Sequence, residues 1–373
     1  MNKQIAYINQ SQSVGLDIIR FSSAQLVIWG HLLNYYFGYH NSPASLLGNG
    51  KLFIQNLGVV VFFILSGYLI GHSVLRQHKK NAEHPFLEYF IDRFSRIYVT
   101  LVPCLLLIVS IDYANISLSD SYAYLNSYDL FHFLGSFLML QDFPYEIFDG
   151  VTSFGSARPL WTLAVEWWLY LAIGWCILCF PSEKESGALY FVVLSFFLIV
   201  PFYNIYGGRG NGIGLLFIFS AFSLWCKYNI RIFKLTNLHL FLILLVFIAL
   251  TINRFVKVGY FYDFLGMVLI LIDFLVTISI LSNLNIFNNQ YPLLKLLAGS
   301  SYALYITHYS IIDLYMKNFK INNMIIDLIV PYSISMVIAI LVWLLFDRHY
   351  RIVSMKLKSL LSRKLKPVLI KFK

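Results

Sequence analysis

Two basic motifs, two histidines and one glutamate stand out because they occupy apolar surroundings. Arg20 and His31 share a largely apolar segment from Gly15 to Phe37. They are eleven steps apart, roughly 16 Å of helical rise and close to three full turns, so both face one side of a helix at different depths. Glu166 lies in Pro159-Leu-Trp161-Thr-Leu-Ala-Val-Glu166-Trp-Trp-Leu-Tyr170. Counted from the opposite end of its helix, it reaches a depth similar to that of His31. A buried carboxylate near an imidazole can orient the ring or stabilise its cation. Arg93 and Arg96 are three apart in Asp92-Arg-Phe-Ser-Arg-Ile-Tyr98, and two guanidinium groups on one helical face suit phosphate binding. His308 sits in Ser301-Tyr302-Ala-Leu-Tyr305-Ile-Thr-His308, also apolar. Ionisable residues inside such segments are costly and mark function by default.

The composition explains why those surroundings are apolar. The chain has 373 residues, 59% hydrophobic and only 12% charged, with a mean hydropathy of +0.70. Soluble domains carry roughly 25% charged residues, so a cytosolic enzyme, a disulfide scaffold and a disordered regulator are excluded. An all-α polytopic membrane protein is expected. Ten stretches read as spans: 15–37, 57–75, 97–114, 160–180, 188–203, 212–226, 238–254, 262–281, 299–317 and 325–346. With both termini cytoplasmic, twenty Lys and Arg fall on inner segments and seven on outer ones, the orientation that positive-inside counting requires. Residues 1–346 then form the membrane domain and 347–373 a basic cytoplasmic tail on anionic lipid. The net charge of +10 points to the membrane surface, not to nucleic acid.

Ser66-Gly67-Tyr68 supplies a small-residue notch for close helix approach. The long outer segment, 115–159, has an amphipathic portion from Asp129 to Leu140 that is expected to lie in the interface or re-enter. Gly207 to Gly212 reads as a flexible connector, because it lacks the Lys-Ser/Thr of a phosphate loop. Cys104, Cys176, Cys179 and Cys226 read as packing residues, and no metal site is expected. His308 and Asp313 also match an HxxxxD pattern. Five steps on a continuous helix put the two about 140° apart, so that pairing is discounted.

Together these segments resemble the membrane-bound acyltransferase family 3, over most of the chain from Gly15 to Phe346. The resemblance rests on Arg20-x10-His31, Phe62-Phe-Ile-Leu-Ser-Gly-Tyr68, Arg93-Phe-Ser-Arg96-Ile-Tyr98, Leu160-Trp-Thr-Leu-Ala-Val-Glu166 and Ser301 to His308, in that order. The pattern differs at Trp167, where a second acidic residue is often found, and at Val99 and Ser310, where proline is often found. The resemblance implies transfer of an acyl group, usually acetyl, from cytoplasmic acyl-CoA to a hydroxyl of a cell-surface or lipid-linked carbohydrate. It implies a bacterial inner-membrane location and no permanently bound cofactor, and a homo-oligomer is compatible with it. His31 would be the general base, with Glu166 orienting it or stabilising its cation, or His31 would carry the acyl group transiently. Arg20, Arg93 and Arg96 would hold the CoA phosphates. Ser66, Tyr68, Trp161, Tyr302 and His308 would line the substrate or donate to the oxyanion. The rival reading is a transporter or flippase of a lipid-linked saccharide, with Asp263, Asp273, His31 and Glu166 as a proton path.

Overall fold

The computed structural model describes residues 8–38, 53–80, 83–119, 122–141, 150–180, 187–206, 210, 212–229, 235–284 and 291–370. Most of the connector at 207–212 lies outside them, as do Asp120, Asp142, Glu146 and Asp149 of the long outer segment and the side chain of Cys226. Among the described residues the chain is helical, with no β-strand. In order, the helices are α1 (Gln10–Phe37), α2 (Ile54–His78), α3 (Pro85–Leu118), α4 (Leu130–Phe137), α5 (Leu160–Leu178), α6 (Ala188–Tyr206), α7 (Ile213–Asn229), α8 (Asn237–Val258), α9 (Phe264–Asn283), α10 (Pro292–Asn318), α11 (Met324–Leu345) and α12 (Tyr350–Ile370). Local chemistry sets their ends. Asn9 and Gln12 form a capping box at the start of α1. Pro85 and Pro292 open α3 and α10, where a missing N–H costs nothing. Asp263 caps α9 and takes a bidentate pair from Arg254 at 2.7 Å, so it has a structural role.

Seven apolar stretches among the described residues are long enough to cross a membrane: α2, α3, α5, α6, α8, α9 and the stretch Met324–Leu361 that contains α11. Helix α7 offers a shorter apolar run, Ile213–Leu224. Helices α1 and α10 miss the criterion because of the residues of interest. Asp17, Arg20, His31 and Asn34 dilute α1, and Ser300, Ser301, Thr307, His308, Ser310 and Asp313 dilute α10. Asn34 and the six α10 residues are buried inside the protein. Helix α1 packs mainly on α2 and α10, so these polar residues are screened by protein. The apolar-all-round α8 lies outside, exposing Leu238, Phe241, Leu242, Val246 and Ile252. The Ser66-Gly67 notch is used as expected, though by α7: a Cβ on Gly67 would stand 2.3 Å from the carbonyl oxygen of Phe217.

Helix α3 is 34 residues long, about 51 Å. That exceeds a hydrocarbon core of about 30 Å, and its N-terminal turns carry Asp92, Arg93 and Arg96. Helix α4 runs back along it. Tyr128 reaches the Val109 carbonyl of α3, whereas the Phe137 carbonyl, nine residues on, accepts from Tyr98. Those two levels on α3 are eleven residues, roughly 16 Å, apart. The segment 129–140 therefore descends beside α3 toward Arg96. Its last carbonyls have no helical partner. They are met by side chains instead, Phe137 by Tyr98 at 2.9 Å and Met139 by Trp168 at 2.8 Å. The irregular backbone after α4 is thus satisfied from within the protein.

The joint between α11 and α12 is tied to α3. Asp347 is fully buried and forms a short ion pair with Arg96, whose guanidinium also lies 4.9 Å from the centroid of the Tyr350 ring. Further along, Ser354 and Lys358 of α12 reach Asp92 at 2.5 and 2.7 Å. The chain after Phe346 is thus a basic helix held against α3 at its start. Removing one member of a buried pair strands the other charge, at a cost of about 3–5 kcal/mol. Arg96→Ala is therefore expected to lower the thermal unfolding midpoint in detergent strongly, and the double variant Arg96→Ala/Asp347→Ala to recover part of the loss. Additive losses would show that the two side chains are independent.

Candidate functional site

An internal cavity of about 150 Å³ lies between α1, α2, α3, α5 and α10. Its wall brings together Arg20, Ser66, Arg93, Glu166, Tyr170 and Tyr302. Each comes from a different turn of the sequence, and helical periodicity turns each one inward. Arg20 makes a 3.3 Å contact with Asp17 one turn away. Arg93 has a buried Nε without a hydrogen-bond partner and stands over the Tyr89 ring. Arg96 also reaches the wall, but Asp347 occupies its guanidinium. The two arginines expected to act as a pair therefore differ: Arg93 keeps an unpaired donor, and Arg96 has a carboxylate partner 251 residues away in sequence.

Glu166 is also placed differently from the expectation. It accepts a short hydrogen bond from Tyr170, and Ser66 adjoins the same carboxyl group. Its pairing with His31 is not formed. The physical reason is lateral. Helix α5 packs chiefly on α6 and α2, whereas the main neighbours of α1 are α2 and α10. Equal depth does not make two helices neighbours. The Tyr170 hydroxyl, one turn beyond Glu166, is the partner that the sequence reading missed, and its i+4 spacing was the available signal.

His31 meets α10 instead. Its ring centroid is 5.4 Å from that of His308 and 5.2 Å from that of Tyr309. His308 is fully buried. Tyr305 connects this pair to the cavity, lining its wall while its ring lies 6.1 Å from His308. Its hydroxyl is 2.7 Å from Thr162, whose own proton goes to the Pro159 carbonyl, so Tyr305 is the donor. Tyr302 has a buried hydroxyl with no partner. Tyr68 is buried against His72 and Phe274, and Trp161 stands near Gly210; neither lines the cavity.

On the far side of His31 from Arg20, a polar network closes the helices. Asp313 accepts from Tyr35 at 2.9 Å and from Asn115 at 2.8 Å, and pairs with Lys317 at 3.1 Å. Tyr124 and Tyr309 share a 3.0 Å hydrogen bond, with Lys317 over the Tyr124 ring. Asp313 thus serves this network and not His308, as the 140° separation required.

The cavity has basic and hydrogen-bonding walls at one level, and a histidine pair stands roughly three turns along α1. Such a layout can hold an anionic, elongated donor and present one end of it to a base. The comparisons with known proteins agree with chemistry of that class. Over 183 residues the chain is 26% identical to the O-acetyl transferase of Shigella phage Sf6, covering 49% of this chain and 50% of the relative. Over 195 residues it is 25% identical to Nodulation protein 10 of Rhizobium leguminosarum bv. viciae, covering 51% of each. The chain thus spans about half the length of the curated relatives it matches. No solved structure matches it. The acyltransferase domain profile Acyl_transf_3 matches residues 13–348, which takes in every helix that carries the site, and the chain belongs to that family.

Proposed function

We propose that the protein is a multi-pass membrane O-acetyltransferase, moving an acetyl group from cytoplasmic acetyl-CoA to a hydroxyl of a cell-surface or lipid-linked carbohydrate. The observation that carries this reading is the cavity shared by Arg20, Arg93, Glu166 and Tyr302, with His31 and His308 just beyond it on the same two helices, α1 and α10. The phage relative's name, O-acetyl transferase, supports the acetyl group. In this reading ten helices span the inner membrane of a bacterium: α1 to α3 and α5 to α11, with both termini on the cytoplasmic side. The basic ends of α3 and α12 then share the inner face, as positive-inside counting requires.

The donor's charge sets its path. CoA phosphates cannot enter hydrocarbon, so they stay at the inner mouth, where Arg20 and Arg93 meet them and Arg96 adds its field. Only the slim pantetheine arm passes through the cavity. From Tyr302 to His308 is six residues, about 9 Å of rise, a distance that such an arm covers when extended. The Tyr302 hydroxyl is free to hydrogen-bond the arm. His31 takes the acceptor hydroxyl's proton as its oxygen attacks the thioester. Asp263, as the cap of α9, does not suit the proton path of a transporter.

Incubating purified protein with labelled acetyl-CoA and a saccharide acceptor tests this reading. Covalent label on the acceptor is expected, and saccharide movement without label would contradict it. His31→Ala is expected to lose at least about a hundredfold in turnover while remaining folded. Near-normal turnover would move the base elsewhere. Arg93→Ala is expected to weaken acetyl-CoA binding, measured by calorimetry, by about 1.5–3 kcal/mol, the worth of a hydrogen bond to a charged group. Equal affinities would reduce Arg93 to a topology anchor.

A further inference from the structure

Two neighbouring imidazole rings each have a buried nitrogen without a partner. His308 Nδ1 lies 3.0 Å from the Leu304 carbonyl, which can only accept, so Nδ1 carries the proton and the lone pair of His308 is on Nε2. That Nε2 is buried and makes no hydrogen bond. His31 Nδ1 is also buried without a partner, and the two rings are 5.4 Å apart at a tilt of 36°. A buried polar nitrogen left unpaired is unfavourable, and these two neighbouring rings carry one bare acceptor and one nitrogen that can be a donor. The carboxyl group that might have served His31 is bonded to Tyr170.

We propose that His308 is the positioning residue of His31: its Nε2 accepts the His31 Nδ1 proton, directly or through one water, and so holds the His31 lone pair on Nε2, where it acts as the base. The proposal rests on the acyl-transfer reading and deepens it. In the reaction, the acceptor O–H gives its proton to His31 Nε2 while its oxygen forms the new bond to the thioester carbon. The C–S bond then breaks, and the CoA sulfur leaves with that proton as a thiol. His308 gains and loses nothing. It is a neutral acceptor in place of the carboxylate of a catalytic triad, so the pair does its work without placing a second buried charge. Leu304, one turn back on α10, sets the whole relay, because its carbonyl decides which nitrogen of His308 is bare.

The test uses the full chain in detergent. Nitrogen-15 spectra of labelled histidines, with His31 assigned by difference against His31→Asn, are expected to show His31 protonated on Nδ1. His308→Leu should abolish that preference and lower kcat about a hundredfold, with KM for acetyl-CoA changed less than twofold. His308→Gln, whose amide oxygen can still accept, should recover to within tenfold of wild type. A wild-type His31 protonated on Nε2 overturns the proposal, as does a His308→Leu protein with normal kcat, or equal losses in both variants. If the wild type transfers no acetyl group, the acyl-transfer reading fails, and the His31 tautomer still decides the pairing by itself. The tautomer also decides it if His308→Leu does not fold.

Discussion

Arg20, His31 and Asn34 on α1 have no stable place against hydrocarbon, and neither have His308 and Asp313 on α10. Each must be surrounded by protein, so the two helices that carry them pack together at the centre of the bundle. The apolar helices then sort by what they can cover. Helix α2 meets α1 and α7 through glycine, at Gly58 and Gly67, where no side chain holds the backbones apart. Helix α8 presents mostly apolar side chains, several of them exposed, and its polar contacts are few, such as Thr251 to Asp273 and Arg254 to Asp263, so it stays at the rim. The cost of burying polar side chains thus sets the arrangement as well as the chemistry.

Helix α3 is the strut that keeps that centre in register. Near one end Arg96 holds Asp347 and thereby the joint after α11. Toward the other end Asn115 holds Asp313 of α10, and Asp112 accepts from Ser156 N–H at 2.9 Å while Ser156 contacts Ser310. The three carboxylates at these contacts, Asp112, Asp313 and Asp347, are fully buried, so each is costly to leave alone. The cavity lies between these two anchorages. The descending segment 129–140 is tied to α3 and α5, its Phe137 carbonyl met by Tyr98 and its Met139 carbonyl by Trp168.

Much of this was legible in the sequence. The helices themselves follow from apolar length, and the ten stretches overlap α1 to α3 and α5 to α11 with ends within a few residues, apart from the N-terminal extensions of α3 and α10. Arg20, Arg93, Ser66, Glu166 and Tyr302 do share a cavity. Depth along a helix is a one-dimensional quantity that spacing supplies. Which helix stands beside which is not, so depth alone points Glu166 toward His31, whereas its hydrogen-bond partner is Tyr170. Likewise nothing local marks Asp347 as the partner of Arg96. Both histidines stand out by their apolar surroundings on two separate helices, but only the packing of α1 on α10 brings the rings together.

The proposed mechanism depends above all on a donor that enters from the cytoplasmic face and a base that waits deeper in the membrane. Sidedness tests that directly. Sealed inside-out and right-side-out vesicles containing the protein can be given labelled acetyl-CoA on the outside only. Acetyl-CoA does not cross a bilayer unaided, so label should reach the acceptor in inside-out vesicles and be absent from intact right-side-out ones until they are permeabilised. Equal labelling in both, or labelling confined to right-side-out vesicles, would contradict a donor site at Arg20 and Arg93 on the inner face.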